Sequence, residues 1–208
     1  FDLMRGWVFV PSCAHMQRLS DNLDYLKPPA FNHILDVPRK VNADTLTWMA
    51  EELETLSGKL AQAFGVDMST ASLTKAMETW NAFAARVRAI GELRKRPNPP
   101  ITGAEFHQIV MACLASPKAL ILPLIEDVQN ELEQREGTTY RARLMLVGGH
   151  LQDPEFIKVI ESQGGLVVAD RFCTGSIPGF MPIALNGGNP YQTLAEHVFR
   201  KTLCPRMM

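Results

Sequence analysis

The sequence predicts an α/β fold with parallel strands and a helical middle, and three observations lead there. Arg143-Leu-Met-Leu-Val-Gly-Gly-His150 and Gly164-Gly-Leu-Val-Val-Ala-Asp170 are short apolar runs, with an amphipathic segment from Asp153 to Gln163 between them. Strand, helix, strand is the unit that joins parallel neighbours, because a parallel pair needs a crossover where a hairpin needs only a turn. The chain opens the same way. Trp7-Val-Phe-Val10 is followed by a helical pattern at Met16, Leu19, Leu23 and Leu26, then by Phe31-Asn-His-Ile-Leu-Asp-Val37, closed by Pro38. Between these two stretches the apolar spacing switches to a period of 3.6.

In that middle part, Asn42-Ala-Asp44 offers capping chemistry before Leu46, Met49, Leu53, Leu56 and Leu60, a helix that stops near Gly65. Ser69 or Thr70 caps the next helix, whose apolar side carries Leu73, Met77, Trp80, Phe83, Ala84, Val87 and Ile90; Arg96-Pro-Asn-Pro-Pro100 ends it. The basic Arg94-Lys-Arg96 at its end reads as a solvated helix terminus, where cations are favoured. Thr102-Gly-Ala-Glu105 is a capping-box pattern before Phe106, Ile109, Val110 and Leu114. Ser116-Pro117 opens a further helix, with proline in the first turn, running past Pro123 to Glu136-Gly137. After Cys173 the chain is rich in Gly and Pro until Pro190 starts a last helix through Leu194, Ala195, Val198 and Phe199. The expected division is an α/β part over 1–40, a helical layer over 41–138 and a second α/β part over 139–208. With no initiator methionine, and a start inside the lead-in to a strand, the chain reads as a fragment of a longer subunit.

The 208 residues, 46% hydrophobic and 21% charged, suit a globular protein with a real core. A net charge of −1 gives no electrostatic footprint for nucleic acid or an anionic membrane. No apolar run is long enough to span a bilayer, and no secretory leader opens the sequence. Four widely separated cysteines do not make a compact disulfide framework, so a reducing, cytoplasmic compartment is expected.

Chemistry concentrates at strand ends. Cys13 and Cys173 each follow a predicted strand, and ligands of open parallel sheets collect beyond the carboxyl ends of the strands. Two thiols so placed suggest a soft-metal or redox site facing one crevice. Cys204 follows the last helix. None of the three is part of a C-x-x-C pair, which excludes a local zinc ribbon and requires a site gathered from distant segments, as iron–sulfur clusters can be. Cys113 sits within an apolar helical run and is assigned to the core. His15 is either a ligand or acid/base group, or a solvated histidine at a helix start. Gly148 and Gly149 follow a strand and precede a helix, where backbone N–H groups can meet a phosphate, without the G-x-G-x-x-G pattern of dinucleotide sites. His150, Asp170 and Ser176 share that edge but form no triad pattern. His33, His107 and His197 are read as structural, and the paired carboxylates of the helices as solvated.

Read in series, Pro11-Ser-Cys13, Leu35-Asp-Val-Pro38, Glu51-Glu-Leu53 and Asn81-Ala-Phe with Arg86 before Pro99-Pro100 and Gly103 resemble the 2-hydroxyacyl-CoA dehydratase / benzoyl-CoA reductase family. The series continues through Arg143–Gly149, Ile160–Asp170, Cys173-Thr-Gly175, Leu194-Ala195 and Cys204-Pro205, across essentially the whole chain. The resemblance implies two Rossmann-like parts joined by helices, an oxygen-sensitive [4Fe-4S] cluster, and an acyl-CoA substrate. It further implies a dimer of identical or paralogous subunits, fed single electrons by an ATP-dependent iron–sulfur activator. Dehydratases of the family expel hydroxide from a 2-hydroxyacyl thioester through a ketyl radical, while the reductases reduce an aromatic ring. Carried over residue by residue, it makes Cys13 a cluster ligand, matches Cys173 and Cys204 to recurring cysteines, and puts Ala14 where the family commonly has an acidic residue. Two other readings stand beside it: a double-cubane-cluster reductase of small molecules, and a non-catalytic partner subunit.

Overall fold

The structure, a computed structural model, describes residues 4–177 and 179–200. It is α/β, with seven helices and two small parallel sheets among the described residues. Its contacts divide it into two compact units: residues up to Lys75 with Ala184–Arg200, and Ala76–Ile183.

In the first unit, β1 (Gly6–Phe9) and β2 (Phe31–Ile34) pair in parallel, with Val8 opposite His33, and α1 (Ala14–Leu26) is the crossover between them. Gly6 is required here: a Cβ would come within 2.7 Å of the Phe31 Cβ. α2 (Ala43–Phe64) starts on a reciprocal box, with Asn42 Oδ1 accepting the Thr45 N–H and Thr45 Oγ1 accepting the Asn42 N–H. It ends at Gly65, whose φ of 67° is the left-handed geometry that glycine adopts without strain. α7 (Pro190–Arg200) packs along α2: Met49 and Ala50 meet Ala195, flanked by Leu53 and Tyr191, whose hydroxyl donates to Ser57 Oγ at 2.9 Å.

In the second unit, α3 (Thr70–Leu93), α4 (Gly103–Ala115) and α5 (Lys118–Gln134) bury Phe83, Val87, Ile90, Val110, Cys113 and Ile121 together. Thr102 and Glu105 form the expected capping box. Pro117 is the residue just before α5, one position earlier than expected, and the helix passes through Pro123 to Gln134. β3 (Ala142–Val147) and β4 (Gly165–Arg171) pair in parallel around α6 (Glu155–Ser162). The register slips by one residue, leaving Val168 extra on β4. The inner face of this sheet, with Leu144, Leu146 and Val167, packs on Ala104 and Ile157. α4 approaches so closely that a Cβ on Gly103 would lie 2.4 Å from the Val167 Cβ.

Glu161 locks that approach. Its carboxylate accepts the N–H groups of Gly103 (2.7 Å), Ala104 (3.3 Å) and Val167 (3.1 Å), so one side chain satisfies orphan donors of a helix start and a strand.

Arg94 corrects the sequence reading. Lys95 and Arg96 are solvated as expected, but Arg94 is buried, because it finds two partners far away in sequence. Its guanidinium pairs with Asp170 on β4 and lies 4.1 Å from the ring centroid of Phe106.

Candidate functional site

The carboxyl ends of β3 and β4 carry the richer of two sites. Gly148 donates its N–H to the Arg171 carbonyl at 3.3 Å, and Cys173 donates its N–H to the Gly149 carbonyl at 3.1 Å, so the two loops beyond the strands are tied together. Leu151 O accepts from Thr174 Oγ1 and lies 3.0 Å from His107 Nε2. His107 is buried in α4 with its ring edge-on to Phe172, which matches its assignment as structural.

The turn after Cys173 closes on Asp170. Asp170 Oδ2 accepts the Ser176 N–H at 2.8 Å, Ser176 Oγ donates to the Asp170 carbonyl, and the Phe172 carbonyl accepts from both Gly175 and Ile177. Only glycine fits at 175, since a Cβ would stand 2.2 Å from Asp170 Oδ2. The other carboxylate oxygen, Oδ1, takes both terminal nitrogens of Arg94, at 3.2 and 3.3 Å. Burial pulls the Arg94 guanidinium below its ordinary range against the pull of Asp170 and Glu161. From this clamped turn the Cys173 thiol is free and exposed.

Gly149 opens onto space, with nothing within 4 Å of a Cβ placed there, whereas a Cβ on Gly148 would press on the Phe172 ring at 3.0 Å. His150 is exposed beside them. Gly148 and Gly149 stand well before α6, whose first N–H groups are met locally by Asp153 Oδ1 and the Pro154 carbonyl.

The first unit holds the simpler site. Cys13 lies beyond β1 as the residue that caps α1; its carbonyl accepts from Met16 and Gln17, and its side chain makes no capping bond. Its thiol is exposed and free, and His15 is exposed in the first turn of α1. Cys113 is fully buried and its thiol is pushed up to about 11 by burial, so it stays neutral within the helical core. Cys204 lies outside the described residues.

Cys13 and Cys173 therefore belong to different units, each thiol outside any disulfide, exposed and beyond the carboxyl end of a parallel strand. Their donor chemistry fits a soft metal. No group of three or more His, Cys, Asp or Glu side chains able to hold a metal ion gathers among the described residues. Sequence reasoning missed Arg94 and Glu161, because both act through partners on other elements. A basic residue ending an apolar helical face beside Leu93 was the available signal for Arg94.

A family model described as 2-hydroxyglutaryl-CoA dehydratase, D-component, matches residues 1–208. No curated protein matches the chain.

Proposed function

The chain belongs to the 2-hydroxyglutaryl-CoA dehydratase D-component family, and from that premise we propose that it is the iron–sulfur subunit of an enzyme acting on an acyl-CoA thioester. The match over the full 208 residues is the observation that carries this reading. The proposed cofactor is a [4Fe-4S] cluster, whose chemistry when bound is single-electron transfer to the thioester. Cys13, Cys173 and Cys204 are its proposed ligands within this chain. The exposed, unpaired state of the first two supports that assignment.

The backbone at Gly148–Gly149 is proposed to meet the phosphate-bearing part of the acyl-CoA. Open space at Gly149 supports this, while the N–H of Gly148 is already engaged by Arg171 and is not among the donors. Loss of hydroxide from a 2-hydroxyacyl thioester is the favoured reaction, ahead of ring reduction, since the matching family is named for a dehydratase. The proposed partners are a second identical or paralogous subunit and an ATP-dependent activator, in the cytoplasm. No helix among the described residues is long and apolar enough to cross a membrane.

We read residues 1–40 and 139–208 as parts of two Rossmann-like domains with a helical layer over 41–138, within a longer subunit; the contacts divide that layer after Lys75 and group α7 with α2 in the first unit. The sheets support this. Parallel sheets are normally covered on both faces, yet the outer face of β3 leaves Met145 57% and Val147 75% exposed.

Anaerobic purification of the full-length subunit with its partner tests the proposal by iron stoichiometry, EPR and acyl-CoA binding. Bound iron, an iron–sulfur signal and activator-dependent dehydration of a 2-hydroxyacyl-CoA are expected. Iron without acyl-CoA binding would move the assignment to a double-cubane-type reductase of small molecules. An iron-free but correctly assembled subunit would make it a non-catalytic partner.

A further inference from the structure

The Arg94–Asp170 pair is almost completely buried, with side chains 5% and 7% exposed, yet it lies beneath a surface turn. A buried ion pair is a weak source of net stability, because desolvation offsets most of the attraction. Apolar side chains of similar volume would hold α3 against β4 about as well. They would not accept a backbone N–H, and that is what Asp170 does for Ser176. One carboxylate oxygen is committed to the turn and the other to Arg94, which is itself backed by Phe106.

We propose that Asp170, braced by Arg94, is a positioning residue that fixes the direction in which the Cys173 thiol is presented to the metal centre. This rests on the reading of Cys173 as a ligand. Asp170 acts only through the backbone: it holds Ser176 and leaves room for nothing larger than Gly175, which bends the chain so that Cys173 projects outward. Thiol direction matters because metal ligation tolerates little error in donor geometry.

The test uses the full-length subunit with its partner, loaded with iron anaerobically, carrying Arg94→Met and Asp170→Leu together. The urea midpoint is expected to stay near that of the unaltered protein. Amide exchange at Ser176 is expected to quicken about tenfold or more as the turn loosens, iron content to fall, and the EPR signal of the reduced protein to change shape. A purely structural pair would move the midpoint and leave the signal alone. Unchanged Ser176 exchange and an unchanged EPR signal in the folded double variant would overturn the proposal. Should that variant fail to fold, Asp170→Asn carries the same two readings, since one amide oxygen cannot serve both Arg94 and Ser176. Cys173→Ser separates the two layers of the argument. Full iron content and an unaltered signal there would remove Cys173 from the metal, whereas lost iron there with an intact double variant would defeat the positioning role alone.

Discussion

Each unit sends a cysteine past the end of a parallel strand, but the two are held by different means. Cys13 is held locally: the turn Val10–Ser12 and the first amides of α1 define its backbone, and among the described residues no remote side chain is bonded to it. Cys173 is held from a distance: Gly149 on the neighbouring loop accepts its N–H, and the turn after it closes on a carboxylate whose partner lies 76 residues earlier. The first arrangement follows from helix initiation and needs only a strand followed by a helix. The second depends on α3, α4 and β4 being assembled first. A perturbation of the core should therefore reach Cys173 and spare Cys13.

The largest expected effect concerns the proposed metal. Cys13→Ala in the full-length protein should lower iron content and abolish turnover with the fold intact, because the thiol is exposed and contributes nothing to packing. Full iron and normal activity would remove Cys13 from the site. Asp170→Ala should be far more disruptive to structure than to surface chemistry. Leaving Arg94 buried without its carboxylate should cost about 3–5 kcal/mol, read from urea unfolding, and a loss under 1 kcal/mol would mean that water reaches the guanidinium.

Gly103→Ala must push α4 away from Val167, at a cost of about 1–3 kcal/mol, and should also loosen the Glu161 contacts. Hydrogen exchange at Val167 would register it. Thr102→Ala should remove one capping bond for about 1 kcal/mol, with no change in Cys13 accessibility.

The smallest effect belongs to the first unit. His33 is buried, and Lys59 Nζ, which can only donate, lies 3.2 Å from its Nδ1, so the ring proton sits on Nε2. Burial, then Lys59, holds the imidazole below its ordinary value, against an opposing pull from Glu52. Above about pH 6.5 the ring is neutral whether folded or not, and its contribution is complete. As pH falls below that, the unfolded chain takes up the proton first and stability is lost toward the lower folded value. A urea midpoint that falls with pH in this range, and falls less in His33→Phe, is expected; identical slopes would rule out His33 as the titrating group.

Much of the architecture was legible because it is written in local patterns. The Asn42 and Thr102 caps, the stop at Gly65, both strand–helix–strand units and the burial of Cys113 all follow from neighbouring residues. Arg94 was misread for the opposite reason. A charged residue at a helix end is solvated unless a distant carboxylate meets it, and Asp170 belongs to a strand that comes much later. α1 shows a milder version: Leu19 and Leu26 obey helical spacing, yet both are exposed, because periodicity marks an apolar face and not what covers it. The candidate site was legible in the residues that carry thiols and glycines. Its supports, Asp170 beneath Ser176 and Glu161 across Gly103, were not, since they depend on where the chain returns.

The extra residue on β4 acts as a frame shift. In an uninterrupted strand Val167 and Phe172, an odd number of positions apart, would point to opposite faces. Both belong to the same core cluster, because Val168 is the added step that resets the alternation. Everything downstream is read in the shifted frame, so Phe172 goes in and Cys173 comes out. Excising Val168 would leave Val167 and Phe172 an even number of positions apart in a regular strand, so Phe172 would stay inside and the thiol outside. Which side of the strand this cysteine leaves by is thus set by counting along β4, before the turn held by Asp170 begins.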